Sequence, residues 1–296
     1  MAFLQGYLGK NKMIGVVVAI SYGVYSVDVD GVIYHTSPRG LFKHGKGKIL
    51  VGDKVLLDDE NYLILEVLPR HNSLKRPPLA NVDEIMLVFS LNEPSFSYYL
   101  AFKYLTYANY LGIKASLVLT KIDMSNDFDV DEIVDIYHRC NIDVYLVSNS
   151  TKEGIEDFKK ALQNKVVCFM GQTGVGKSSL LNSINPEFDR DIGSYSIALG
   201  RGKHQTKEVI LLPHENSYLA DTPGFSSLEL DLLEEEVATY FPLIREYHGK
   251  CFYNNCMHVH EPKCLVKKAL EEGSIPSIIY KSYLKLLEEI KELNHG

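Results

Sequence analysis

The sequence predicts a multi-domain chain: an N-terminal OB-type β-barrel, a central α/β domain built around a phosphate-binding loop, and a C-terminal helical zinc-binding domain. Three observations predict it. Residues 13 to 68 carry five short strand patterns and no helical period. From residue 82 onward, strands and helices alternate. Near the end, three cysteines and two histidines cluster ahead of an amphipathic stretch. The expected division is 1–68, 69–236 and 237–296.

The bulk numbers fit that plan. A chain of 296 residues is long enough for two or three cores. Its hydrophobic fraction of 46% and charged fraction of 23% are those of a globular protein. No apolar run approaches the ~20 residues that span a bilayer. The nearest, 13 to 20, is interrupted by Gly15 and soon meets Ser21-Tyr22-Gly23, so it reads as a strand. No secretory signal is recognisable, so a cytoplasmic location without a membrane partner is expected. A net charge of -7 weighs against indiscriminate nucleic-acid binding. Two local basic patches remain, Arg39 to Lys48 and Arg70 with Lys75 and Arg76, each equally readable as a solvated loop.

Within the barrel, 24 to 29 reads Val-Tyr-Ser-Val-Asp-Val, the period of two of a half-buried strand. Asp30-Gly31 supplies a hairpin turn, and 32 to 36 returns. Strands follow at 54 to 57 and 62 to 68, joined by a turn at 58 to 61. An OB-type fold fits best, and other small β-barrels fit nearly as well. Residues 69 to 78 hold three prolines and several basic residues and read as a linker.

Strands are then expected at 82–89, 113–119, 144–147 and 166–170, with helices at 97–110, 130–140 and 155–162. This alternation implies a parallel sheet covered on both faces. Ligands of such sheets bind at the carboxyl ends of the strands. From about residue 228 the chain turns acidic and helical, and 277 to 293 is a long amphipathic stretch. Cys140 and Cys168 stand apart in apolar contexts and read as buried thiols.

The loop after the strand 166–170 reads Gly171-Gln172-Thr173-Gly174-Val175-Gly176-Lys177-Ser178, which matches G-x-x-x-x-G-K-[ST]. A helix is expected to open near Lys177. The glycines let successive backbone N–H groups face phosphate oxygens, and the helix N-terminus favours negative charge. Lys177 brings a cation to the β/γ-phosphates, and the Ser178 hydroxyl can ligate Mg²⁺. The pattern arises by chance in about one chain in a hundred of this length. The expected phosphate set runs from Gly171 to Ser179, with Gly224.

Asp221-Thr-Pro-Gly224 follows a short strand at 218–220. An Asp there holds Mg²⁺, and the glycine N–H reaches the γ-phosphate. Thr120-Lys121-Ile122-Asp123 closes the strand 113–119 and has the form [NT]-K-x-D. Asp123 would accept from the ring N–H and exocyclic amine of guanine, a donor pair that adenine lacks. Ser148-Asn149 follows the next strand, where a weak backbone reader of guanine is expected. Base readers thus precede the phosphate loop, and D-x-x-G follows it. An ordinary small GTPase runs phosphate loop, switches, then base readers. Rejoining its ends and cutting between the halves gives the present order.

On these motifs the sequence resembles the circularly permuted, ribosome-small-subunit-dependent GTPases of bacteria. The resemblance covers nearly the whole chain, including the junction from Arg70 to Asp83 and the terminal cluster. It implies a GTP hydrolase, slow alone and stimulated by the 30S subunit. It also implies binding to 16S rRNA and action late in small-subunit maturation. GTP and GDP are the expected ligands, with Mg²⁺ held by Ser178, Thr206 and Asp221, and a monomer is expected. The first switch departs from the family's Gly-x-His-Thr-Thr and reads Gly202-Lys203-His204-Gln205-Thr206. Either 205 or 206 could hold the Mg²⁺ role, and Thr206 keeps the hydroxyl. Phe225 stands where many GTPases carry Gln, and a phenyl ring cannot orient water. His204, from its place in the switch, is expected to position the attacking water, with Thr206 and Lys177 completing the catalytic set. Gly174 occupies the position that is Asn in potassium-activated relatives, so no potassium requirement is indicated.

Cys251-x4-Cys256-x-His258-x5-Cys264 supplies three thiolates and one imidazole, a four-ligand set suited to one structural Zn²⁺. His260 competes for the imidazole position, and the family's spacing selects His258. Permutation makes the Asp221 switch lead directly into this region, so nucleotide state is expected to bias an rRNA-gripping arrangement. The alternative is a nucleotide-switched rRNA-binding scaffold with negligible turnover.

Overall fold

The computed structural model describes residues 12–38, 48–75, 77–124, 128–188, 209–221, 228 and 230–295. Five strands come first: β1 (Lys12–Ser21), β2 (Val24–Val29), β3 (Val32–Pro38), β4 (Lys54–Asp58) and β5 (Leu63–Val67). They close a barrel in the order β1-β2-β3-β5-β4. All pairs are antiparallel except β3 with β5. That order and that one parallel pair select the OB-type barrel among the small barrels left open by pattern. Val17, Val27, Val55, Leu57 and Ile64 fill it. Asp30 and Gly31 both take positive φ (50° and 86°), the hairpin turn whose twist suits the flanking strands. Gly31 N–H donates to the Asp28 carboxylate at 2.8 Å.

The proline-bearing stretch corrects the expected linker. β6 (Ser73–Lys75) and β7 (Pro78–Ala80) pair as a two-stranded antiparallel sheet. Val51 bridges Leu79, and Asn81 Nδ2 donates to Gly52 O at 2.9 Å. Arg70 is not free for a partner either. Its Nε and Nη2 donate to the fully buried Asp53 carboxylate at 2.6 and 2.7 Å, and Nη2 also to Lys48 O at 2.7 Å. Arg76 and most of the patch from Arg39, through residue 47, lie outside the described residues.

Eight further strands and helices then alternate: β8 (Glu84–Ser90), α1 (Tyr98–Tyr110), β9 (Lys114–Thr120), α2 (Val130–Arg139), β10 (Val144–Val147), α3 (Ile155–Leu162), β11 (Val166–Met170) and α4 (Lys177–Ile184). β12 (Ile210–His214) and β13 (Ser217–Asp221) form a hairpin. The sheet order is β10-β9-β8-β11-β13-β12. β8 is buried at all seven positions, as a strand in the middle of a covered sheet must be. It starts at Glu84 rather than Val82 because the Asn72 amide claims both the N–H and the carbonyl of Val82. α1 is capped by Ser97, which accepts from Leu100 N–H, and α2 by Asp129, which accepts from Glu132 N–H.

The tail is less helical at its start than expected. A 3₁₀ turn (Glu234–Glu236) leads to α5 (Val237–Tyr240), and α6 (Leu265–Glu271) and α7 (Ser277–His295) end the chain. None of the described helices is long and apolar enough to cross a membrane.

The chain packs as two compact units. One holds residues 1–84, 159–169 and 178–223; in it β12 packs beside β1, and Tyr218 hydroxyl donates to Asp28 at 2.9 Å. The other holds 85–158, 170–177 and 224–296. Its core is aromatic: Phe102 stacks on Tyr137 and on Phe241, and Phe241 meets Tyr283 edge-on.

Candidate nucleotide site and metal cluster

The phosphate loop leaves β11 at Gly171 and enters α4 at Lys177. A Cβ on Gly171 would lie 2.2 Å from Val88 O, so only glycine fits there. Gly176 has φ +95°, a region that side chains other than glycine's avoid. Lys177 Nζ folds back over the loop and donates to Gly171 O (2.5 Å) and Gln172 O (3.0 Å). Its cation is therefore held over the carbonyls at the start of the loop. Thr173, Gly174 and Val175 complete the turn; Val175 is buried, and Ser178 and Ser179 open the helix.

The structure brings the residues expected to read the base against this loop, Thr120 and Lys121 across more than fifty residues of sequence. Thr120 Oγ1 donates to Val175 O at 2.6 Å. Lys121, held at φ +60°, sends Nζ to Gly174 O at 3.1 Å and to Glu93 O at 2.5 Å. Asn149 Nδ2 lies 3.5 Å from Gly176 O. Hydrogen bonding from Ser148, chiefly, and from Ser150 and backbone outweighs desolvation and holds the Asp123 carboxyl below its ordinary value. Ser148 also accepts from Thr151 N–H at 3.0 Å, which shapes this turn.

Asp221 ends β13, its backbone in register with Phe169 of β11. The loops after β9 and β10 leave the carboxyl ends of one parallel pair and those after β11 and β13 the carboxyl ends of another, where α/β sheets bind ligands. The Asp221 side chain and His204, Gln205, Thr206, Gly224 and Phe225 lie outside the described residues. One participant was not foreseen: the turn after β8, where Ser90 Oγ accepts from Asn92 N–H and the Glu93 carbonyl receives Lys121. Backbone acceptors leave no side-chain signature, so only the Glu-Pro turn signal at 93–94 was available.

Cys251, Cys256, His258 and Cys264 are all buried, and their ligand atoms lie within 4.8 Å of one another. His258 Nδ1 stands 3.5, 3.4 and 3.4 Å from the three sulfurs in turn. A tetrahedral ion bonded at about 2.3 Å to sulfur and about 2.0–2.1 Å to nitrogen sets N···S near about 3.5 Å. The donor set thus fits a single ion, which the cluster could hold. His260 is exposed and outside the group, so geometry agrees with the spacing that selected His258.

Burial holds the His258 pKa down, keeping the imidazole neutral with a lone pair to give. Burial also pushes the Cys256 thiol up to about 12, and a divalent cation would reverse that by binding the thiolate. Leu265 N–H donates to Cys251 Sγ at 3.3 Å, a bond that suits a thiolate. Three partners of this loop were missed in the sequence: Glu261 within it, whose carboxylate accepts backbone N–H groups, and Tyr280 and Tyr283 of α7, whose hydroxyls reach backbone carbonyls. Burial alone would raise the Glu261 pKa, but those N–H groups prevail and lower it.

Known proteins share the sequence and the fold. The RsgA GTPase family matches residues 67–231, and the RsgA N-terminal domain matches 14–62. The small ribosomal subunit biogenesis GTPase RsgA of Halalkalibacterium halodurans is 40% identical over 284 residues, covering 94% of this chain and 97% of that protein. Its counterpart in Bacillus subtilis is 41% identical over 276 residues, covering 90% and 92%. The crystal structure of YjeQ from Thermotoga maritima aligns with a TM-score of 0.81 at 34% identity, covering 94% and 98%. That of YloQ, described as a circularly permuted GTPase, aligns with a TM-score of 0.81 at 34% identity, covering 96% of each chain. Family match, identity over nearly the full length and shared fold agree: the chain belongs to the RsgA GTPase family.

Proposed function

We propose that this GTPase serves late maturation of the small ribosomal subunit, binding the 30S particle through 16S rRNA and hydrolysing GTP to GDP and phosphate there. The observation that carries the nucleotide part is the meeting of Thr120 and Lys121 with the carbonyls of Val175 and Gly174. It joins base reader and phosphate loop into one site despite their reversed order in the chain. The names of the relatives carry the partner.

In this reading Gly171 to Ser179 and Gly224 hold the phosphates, with Lys177 countering their charge. Thr120, Lys121, Asp123, Ser148 and Asn149 read guanine. Mg²⁺ accompanies GTP on Ser178, Thr206 and Asp221, and His204 orients water where Phe225 cannot. The cysteine–histidine cluster holds one structural Zn²⁺, which would stabilise a segment too small to build its own core. The functional parts are 1–68, 69–236 and 237–296, in a monomeric cytoplasmic protein.

The test is GTP turnover with and without purified 30S subunits, with ATP as competitor. Turnover should be slow alone, rise with 30S, and be unaffected by ATP. A rate that 30S leaves unchanged would favour the scaffold, the reading that Phe225 favours. Competition by ATP would remove the guanine assignment.

A further inference from the structure

We propose that Glu261 is the positioning residue that aims the His258 imidazole into the metal cluster. The inference rests on the reading that Cys251, Cys256, His258 and Cys264 hold a metal ion.

Between Cys256 and Cys264 the chain must present Nδ1 of one histidine to three sulfurs at once. To do so His258 adopts φ +61°, a conformation that costs a residue with a Cβ and persists only when its surroundings enforce it. Glu261 supplies that enforcement. Its Oε1 accepts from Met257 N–H at 2.7 Å, and its Oε2 from Val259 N–H at 2.9 Å and His260 N–H at 3.0 Å. These donors flank His258 on both sides.

From the opposite side α7 fixes the carbonyls. Tyr280 hydroxyl donates to His258 O at 2.8 Å, and Tyr283 hydroxyl to Met257 O at 2.7 Å. Any peptide rotation that swings the imidazole away from the sulfurs breaks at least one of these bonds. Three converging N–H groups demand a side chain that only accepts, and a carboxylate does. A glutamine would turn an NH₂ toward one of those donors, and an aspartate would be one methylene short.

The test compares wild type with E261Q and E261A, each loaded with Co²⁺ and well below its melting temperature. Two quantities are read: the ligand-field absorption of the bound cobalt, and the rate and extent of its loss to a chelator. The wild type should show the strong absorption of a tetrahedral thiolate–imidazole site. Weakened outer partners of metal ligands typically reduce metal affinity by about 10–100-fold. E261Q should fall near the lower end and E261A near the upper, both with altered absorption. Variants that keep the wild-type spectrum and release rate, even with a lower melting temperature, would make Glu261 a stabilising residue only and overturn the proposal. A wild type that takes up no Co²⁺ would instead overturn the metal reading, and this inference with it.

Discussion

In the proposed reading the choice of base rests on one carboxylate, Asp123. Guanine offers it two donors, while adenine offers an acceptor at the matching ring position and leaves a charged oxygen without a partner. Asp123→Asn keeps the shape and replaces one acceptor with a donor. GTP affinity should fall by about 10²-fold or more, with ATP affinity little changed. Equilibrium binding of both nucleotides checks this, and an unchanged GTP affinity would remove Asp123 from the site. The pH dependence has a defined sign. Hydrogen bonding from Ser148 lowers the Asp123 pKa, so the acceptor form persists below the ordinary carboxylate range. Titration of Asp123 should therefore leave GTP binding flat from about pH 8 to about pH 5. At this scale the sequence was informative where a motif fixes the place of a particular side chain, as at Lys177 and the four cluster residues, which the structure brings together. It was silent where the structure uses a backbone group, as at Glu93 O.

α7 shows how one element can serve two neighbours. Near its start, Tyr280 and Tyr283 hold the cysteine–histidine loop. Near its end, Glu289 receives Tyr99 and Lys103 of α1, and Lys285 lies over the Tyr99 ring at 4.3 Å. Burial raises the Glu289 pKa, and Glu292 adds to it, so the carboxylate depends on those two donors. Glu289→Ala should destabilise the protein by about 1–3 kcal/mol, the low end being favoured because the side chain is 33% exposed. A thermal melt checks it, and an unchanged midpoint would mean that the contact is idle. The period of α7 was legible because it is a local rule, as was the helical reading of α1 and α2. The β6–β7 hairpin was not. Prolines at 69, 77 and 78 read as breakers, and the bonds that order this segment come from Val51 and Gly52, far back in the chain. β12 escaped notice for a related reason, since Pro213 weakens its pattern and its pairing with β13 supplies what propensity does not.

At the scale of the molecule, the barrel does not end where its last strand ends. Asp53 is fully buried and its counter-charge, Arg70, comes after β5. Removing that partner leaves a buried carboxylate uncompensated. A fragment of residues 12–68 should therefore be less stable than one of 12–83 by about 2–3 kcal/mol, allowing for the 30% exposure of Arg70. Chemical denaturation of the two fragments checks this, and equal midpoints would restore the linker reading. The overall plan of barrel, α/β sheet and cysteine–histidine cluster was legible because periodicity and motif order are carried along the sequence. The way 69–82 docks was not, because it depends on pairs that only folding reveals.

The bond between Tyr99 and Glu289 spans 190 positions. Synthesis runs from the N-terminus, so α1 leaves the ribosome well before the helix that covers it. Until Ser277–His295 has emerged, the nascent protein carries its G-x-x-x-x-G-K-S and T-K-x-D motifs but not the helix that packs on α1 and bonds the cysteine–histidine loop. A product that lacks that helix keeps those motifs and leaves Tyr99 and Lys103 without Glu289. The helix therefore acts as a delayed clasp, closing on a segment made some 190 positions earlier.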